Sequence, residues 1–307
     1  MIKLNNTQYF ILLLCLILFF YYLLASITTQ RTFYTYISPK SSNCNCQLSL
    51  IESDQFFCET DEDWIRRKEL YHLQHDRNIV HDTPYLFFQD NYEPTFSCRF
   101  EQRLGLNGDG GKWICDVYRL KQFNSCLVYS IGSNGEFSFE NEIKEFLPHC
   151  EIHTFDMKLF NCTNSCTFHQ VNIGNGTGGT KTLHVIMSEL NHTNRYLNIL
   201  KVDIDGSEYE LFDDLFRTVD SISENIHQIL LEVHFVEIIK RVDNITTYEY
   251  SKLHHLFRLF HQRHYVIFHK EVNLYSPYWT FEYSFIKLNK KFFQIQIDST
   301  LLQHPRQ

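Results

Sequence analysis

The chain has 307 residues and a net charge of −8 with histidine neutral. That length suits one large domain or two small ones, and 44% apolar against 21% charged residues is ordinary for a protein that buries a core. The mild acidity, with no run of Lys or Arg, excludes a dedicated nucleic-acid binder, which needs a basic face.

The first element in chain order is the uncharged stretch from Tyr9 to Ile27. It is close to the ~20 residues that cross a bilayer as a helix. Lys3 precedes it and Arg31 and Lys40 follow, so flanking charge sets its orientation only weakly. The apolar run is long for a cleaved signal peptide, and Leu23-Leu-Ala-Ser26 makes a poor cleavage site. The expectation is therefore an uncleaved signal anchor at 9–27 behind a short cytoplasmic tail, 1–8. Nine of the ten cysteines lie beyond it, as do four N-x-Ser/Thr sequons, at Asn161, Asn175, Asn191 and Asn244. Together these favour a lumenal, glycosylated domain with disulfides and at least one unpaired cysteine. We expect a single-pass membrane protein of the secretory pathway, placed in the Golgi.

Residues 28–57 are polar and without periodicity and read as a stem. Residues 58–125 read as an N-terminal extension packed on the main domain. It holds a helix over Glu59 to Leu73, a turn-rich stretch from Leu106 to Lys112, and Cys98 and Cys115, one pairing the segment allows. From 126 to 290 strands and helices alternate. Strands are expected at Cys126–Ile131, Glu151–Asp156, Thr167–Ile173, Asn198–Ile204, His227–Phe235, Tyr265–His269 and Tyr283–Leu288. Helices are expected at Phe137–Leu147, Leu183–Leu190, Glu208–Val219 and Tyr248–His261. Alternation of this kind implies an α/β domain with a mostly parallel, doubly wound sheet. Residues 291–307 read as a C-terminal tail.

Ligands of such sheets bind beyond the carboxyl ends of the strands, where strand order reverses. Gly132-Ser133-Asn134-Gly135 closes the first of these strands, and glycines there let the backbone approach a ligand. Asp156 closes the next, placed to accept hydrogen bonds from a ribose diol. The stretch Tyr129-Ser-Ile-Gly-Ser-Asn-Gly-Glu-Phe-Ser-Phe-Glu140 resembles the first motif of the class I S-adenosylmethionine (SAM) dependent methyltransferases. His153-Thr-Phe-Asp156 resembles their second. Tyr265-Val-Ile-Phe268 and Glu282-Tyr-Ser-Phe-Ile-Lys-Leu288 are similar to their closing hairpin, whose last strand is antiparallel. More narrowly, Gly110-Gly-Lys-Trp-Ile-Cys-Asp116, Leu200-Lys-Val-Asp-Ile-Asp-Gly-Ser-Glu208 and Gln228-Ile-Leu-Leu-Glu-Val-His234 resemble the animal methyltransferase-like proteins of the "twenty-four" group, membrane-anchored and related to the FkbM type. The resemblance covers residues 95 to 290. It implies the Rossmann-like seven-stranded fold and SAM as cofactor, held by Tyr129, Gly132, Ser133, Asn134, Gly135, Asp156 and Asn172. It departs from the pattern where many relatives carry an acid before the glycines: here Tyr129 and Ile131 bracket Ser130.

Methyl transfer needs the nucleophile aligned with the methyl group, and often a base to take its proton. Asp203 and Asp205 alternate at one strand end and Glu232 and His234 at the next, so each pair is expected on one face. His234 is the candidate general base, because an ordinary imidazole titrates near neutrality. The same four residues could hold a divalent metal, but none is assigned. The expected function is O-methyl transfer to a glycan, glycoprotein or small-molecule acceptor. A catalytically silent lumenal binding or scaffold module is the main alternative. A type II glycosyltransferase using Asp203-Ile-Asp205 is another. A dinucleotide dehydrogenase is disfavoured because its third motif glycine would fall at Phe137.

Overall fold

The computed structural model describes residues 45–75, 79, 87–162, 164–218, 220–234, 247–277 and 280–294. The chain divides into two units, Met1–Ser42 and Asn43–Gln307, and every described residue lies in the second. The expected membrane anchor at 9–27, its short tail and the sequon at Asn244 lie outside the described residues. Among those described, no helix is long and apolar enough to cross a membrane.

Three short elements lead in: α1 (Gln47–Glu52), α2 (Asp61–His75) and α3 (Phe87–Asp90). A hairpin of β1 (Glu101–Leu104) and β2 (Lys112–Cys115) follows, then α4 (Val117–Leu120). The central domain runs β3 (Cys126–Ile131), α5 (Ser138–Phe146), β4 (Cys150–Asp156), β5 (Thr167–Gln170), α6 (Leu183–Glu189), β6 (Leu197–Val202), α7 (Glu208–Thr218), α8 (Asp220–Glu224), β7 (Ile226–His234), α9 (Thr247–Gln262), β8 (Tyr265–Val272) and β9 (Thr280–Lys287).

The seven strands stand in the order β5-β4-β3-β6-β7-β9-β8. The first five pair in parallel, and β9 is antiparallel to both its neighbours. This is the Rossmann-like mixed α/β sheet expected, with its antiparallel closing strand. Strands β3 and β6 are buried at every position, as parallel strands covered on both faces must be. One face carries Tyr129, Phe155, Leu200, Ile229 and Tyr283 and packs on α6, α7 and α9 through Met187, Phe212 and Phe260. The other carries Val128, Ile152, Ile199, Leu230 and Ile286 and packs on α5, α2 and β2 through Phe139, Trp64 and Ile114.

Two expectations change. Residues 47–57, read as stem, are folded: Phe56 and Phe57 are buried and a Cys46–Cys58 disulfide closes the segment. Glu52 fixes it further by accepting from Trp64 Nε1 at 2.7 Å and from Lys68 Nζ at 2.8 Å. The final hairpin is also longer than its apolar runs, with Val272 opposite Phe281, because polar Lys270 and Glu271 sit on an edge strand where one side can be wet.

Disulfides also join Cys98 to Cys115, Cys126 to Cys150 and Cys162 to Cys166. Cys126 and Cys150 open neighbouring parallel strands in register. Cys44 lies outside the described residues.

Candidate active site

The chain runs outward from β3 to β5 and then returns to β6, so strand order reverses between β3 and β6. Gly132 turns the chain out of β3 with φ +79°. Its N–H donates to Phe155 O at 2.8 Å, and its carbonyl accepts from Lys201 Nζ at 2.9 Å. Asp203 N–H donates to Ile131 O at 2.9 Å, which holds the end of β6 against the loop. A Cβ on Gly132 would overlap the Asp203 carbonyl oxygen, so the backbones meet here as only glycine allows.

Asp156, at the end of β4, turns its carboxylate toward this loop. Oδ2 accepts from Ser133 N–H at 3.0 Å and Asn134 N–H at 2.8 Å, and Oδ1 from Lys158 N–H at 2.9 Å. Ser133 Oγ also donates to Oδ2 at 3.4 Å, so the carboxylate's roughly four acceptor positions are taken, and a diol would have to displace the long Ser133 hydroxyl contact. The predicted loop residues and Asp156 are thus brought together. Asn172 is exposed past β5, where its carbonyl accepts from Lys181 N–H at 2.8 Å.

Tyr129 is a correction. It is fully buried on the opposite sheet face, and its hydroxyl lies 2.6 Å from His192 Nδ1. Strand alternation carries it away from the face that Ser130 presents.

On the face shared by Ser130 and Lys201, the strand ends carry a buried polar cluster. Lys112 Nζ lies 2.7 Å from Glu282 Oε1, 3.2 Å from Glu232 Oε2 and 3.7 Å from Asp203 Oδ2. The lysine arrives on β2. Gln228 clamps that strand to the sheet, accepting from Cys115 N–H at 2.9 Å and donating to Cys115 O at 2.9 Å. Glu232 also accepts from Asn273 Nδ2 at 2.9 Å. Burial opposes the charge on Lys112, yet Glu282, Asp203 and Glu232 hold its pKa above the usual lysine value. Burial raises Asp203, but Lys112, Lys201 and His234 outweigh it and hold its pKa below the usual carboxylate value. Burial, with Glu232 directly opposite across the strand pair, pushes Glu282 up.

His234 completes the cluster. Nδ1 lies 2.7 Å from Glu208 Oε1, and Nε2 lies 3.6 Å from Glu232, 3.7 Å from Asp205 and 3.8 Å from Asp203. Burial disfavours its charge, but Glu208, Glu232 and Asp203 prevail and raise its pKa to about 9. The reason given for His234 as general base therefore fails, since carboxylates on every side keep the ring protonated at neutral pH. Asp205 is a second correction. Strand β6 ends at Val202, and Asp205 sits at φ +50° in a left-handed turn with its side chain 97% exposed. It stands on the rim, while Asp203, whose side chain is 20% exposed, is set among the cations. Lys112, Lys201, Glu208 and Glu282 escaped the sequence reading. Only Lys112 carried a signal: it alternates with Ile114 in a short strand and so shares its inward face.

A protein-family model described as "Methyltransferase domain" matches residues 47–287. No curated protein matches the chain. Similar solved structures include a protein described as a ribosomal RNA methyltransferase from Plasmodium falciparum, at 14% identity over 56% of this chain and 90% of that one, with a TM-score of 0.31. A precorrin-6y C5,15-methyltransferase from Geobacter metallireducens shares 10% identity over 55% and 83%, with a TM-score of 0.29. A protein described as an O-methyltransferase from Klebsiella pneumoniae shares 11% over 75% and 91%, with a TM-score of 0.30.

Proposed function

The chain belongs to the methyltransferase-domain family, and on that premise we propose that it moves a methyl group from SAM to a hydroxyl of a glycan, glycoprotein or small molecule in the secretory pathway. The observation that carries this reading is the contact between the Gly132 loop and Asp203, which sets a cofactor cradle beside a buried charged cluster. The narrower kinship with the "twenty-four" and FkbM-type proteins rests on the sequence words above. The apolar run at 9–27 supports a membrane anchor, and the disulfides support an oxidising compartment.

The residues present fit the cofactor: two glycines at positive φ leave the loop backbone bare, and Asp156 turns to that loop a carboxylate that can exchange its long Ser133 hydroxyl contact for a diol. SAM, when bound, supplies an electrophilic methyl carbon on a sulfonium. Gly132 to Gly135 and Asp156 would hold it. Asp203, kept ionised by its cations, is the group that takes the acceptor's hydroxyl proton, at Oδ1. An aspartate is a weak base, but a hydroxyl becomes strongly acidic as its oxygen acquires a carbon, so a weak base suffices. Lys112 and His234 fix the position and charge of Asp203.

Calorimetric titration of the full chain with SAM, S-adenosylhomocysteine, NAD and a UDP-sugar with manganese tests the reading. Binding of SAM and its product alone is expected. UDP-sugar binding would move the case to a glycosyltransferase, and no binding by folded protein would favour the silent module, whose support is that Asp203, Glu232 and His234 already face one another's charges. Asp156→Ala should weaken SAM binding by about 1.5–3 kcal/mol, the worth of hydrogen bonds to a charged acceptor. Unchanged affinity would remove Asp156 from the cofactor site.

The raised pKa of His234 sets a pH dependence. A histidine whose folded pKa exceeds its unfolded value contributes stability fully below the unfolded pKa and loses it through the folded one. The melting temperature should therefore fall between pH 6.5 and about 9. His234→Gln should be less stable at pH 6 and lack that decline. A parallel decline in both proteins would show that His234 does not titrate in this window.

A further inference from the structure

On the sheet face away from the carboxylate cluster, and near the amino end of β4, stands a second group of metal-ligating side chains. Glu151 and His153 alternate on β4, and His192 follows α6. Glu151 is five residues from Asp156, about 17 Å along a strand, so this group is separate from the cofactor loop. Glu151 Oε1 lies 2.8 Å from His153 Nε2 and 3.4 Å from His192 Nε2. One ligand atom from each of the three lies within 4.8 Å of the others.

The remaining ring nitrogens are both held. His153 Nδ1 is 2.8 Å from His169 Nε2, and His192 Nδ1 is 2.6 Å from Tyr129 OH. Metal-bound imidazoles are oriented in this way, with the free nitrogen tied to a supporting group. Here the support aims both Nε2 atoms at one carboxylate. Both rings are buried, while the Glu151 side chain is 44% exposed and leaves a way in.

A cationic group already sits at this donor set. Arg195 Nη1 lies 2.5 Å from Glu151 Oε2 and 3.0 Å from His192 Nε2, on a side chain that is 33% exposed and so free to swing out. Two other clusters among the described residues are less suited. Cys126 and Cys150, beside His149, are joined in a disulfide. Asp203, Glu232 and His234 already face the Lys112 ammonium or each other.

We infer that Glu151, His153 and His192 form a binding site for a zinc-class divalent cation, which ties the start of β4 to the loop after α6. Two imidazoles and one carboxylate suit zinc, whereas magnesium and calcium select oxygen. Zinc bonds of about 2.0–2.2 Å in a tetrahedron set donors about 3.4 Å apart. Glu151 and His192 already stand at 3.4 Å, and His153 needs only a small outward shift. A water completes the four.

The test is calorimetric titration of the chelator-stripped full chain with zinc alone, with magnesium as control. One saturable zinc site per chain is expected, with a raised melting temperature and no magnesium binding. Glu151→Gln and His192→Asn should each weaken zinc at least tenfold, His234→Gln should leave it unchanged, and Arg195→Ala should tighten it. Should His192→Asn fail to fold, Glu151→Gln decides, since its side chain is half exposed. No saturable zinc binding, or a site insensitive to Glu151→Gln but lost in His234→Gln, would overturn the inference.

Discussion

Lys112→Met should destabilise the domain by about 3–5 kcal/mol, the cost of stripping a buried charge of its partner. The ammonium is the shared cation of Glu282, Glu232 and Asp203, with Nζ at 2.7, 3.2 and 3.7 Å. Methionine fills the same volume and supplies no charge. His234 does not take over the close Glu282 contact, because its Nδ1 is bound to Glu208 and its Nε2 already faces Glu232, Asp205 and Asp203. The variant's own escape is to keep a proton on a carboxyl group. A carboxyl whose folded pKa lies above its unfolded value binds more protons when folded, so stability falls as pH rises between the two. The deficit of Lys112→Met should thus be smallest near pH 4 and deepen toward neutrality. Lys112→Met with Glu282→Gln should recover part of the loss, since one surplus acid is gone. Urea denaturation followed by circular dichroism from pH 4 to 8 measures all of this. A neutral Lys112→Met would mean that these carboxylates are solvated, and the desolvated site would go with them.

The sheet was legible in the sequence because its central strands are buried on both faces, where parallel strands become mainly apolar runs such as Cys126 to Ile131. The loop after β3 was legible because it ends such a run, and Asp156 because it is the last residue of the short strand β4 that follows. What failed were inferences that required knowing a direction. Asp203 and Asp205 share a face only on extended backbone, and the Asp205-Gly206 pair, itself a turn signal, turns the chain into left-handed conformations at φ +50° and +98°. Tyr129 was assigned to the cofactor by its place in the motif the chain resembles, although one step along a strand reverses the side chain. Lys112 and Glu282 are 170 residues apart and meet because Gln228 and Ser284 dock β2 on the sheet. His234 was identified, but its protonation follows from Glu208 on α7, which no spacing along β7 reveals. The Cys126–Cys150 bridge depends on strand register, and eight cysteines allow about a hundred pairings.

Gly132→Ala should be the most damaging single methyl group in the domain. Two costs act together. At φ +79° an alanine pays the left-handed backbone strain, about 1 kcal/mol. Its Cβ would also overlap the Asp203 carbonyl oxygen and stand 2.7 Å from the carbonyl carbon. Neither atom is a side-chain end that can rotate aside. Asp203 N–H is bonded to Ile131 O, and Gly132 is bonded on both sides, to Phe155 O and to Lys201 Nζ. Relief requires parting β3 from β6 at the point where loop and cluster meet. Overpacking of this kind adds about 1–3 kcal/mol or more, so a total near 4 kcal/mol and loss of SAM binding are expected. Two glycines calibrate the result. At Gly135, φ +81°, a Cβ would stand 2.8 Å from the Phe160 ring, a side chain that can turn, so Gly135→Ala should cost less. At Gly178, φ +60°, nothing lies within 4 Å, so Gly178→Ala should cost the backbone strain alone. Denaturant midpoints of the three variants separate strain from collision. If Gly132→Ala ranks with Gly178→Ala, the loop does not rest on Asp203, and the cradle and the charged cluster must be treated as separate sites.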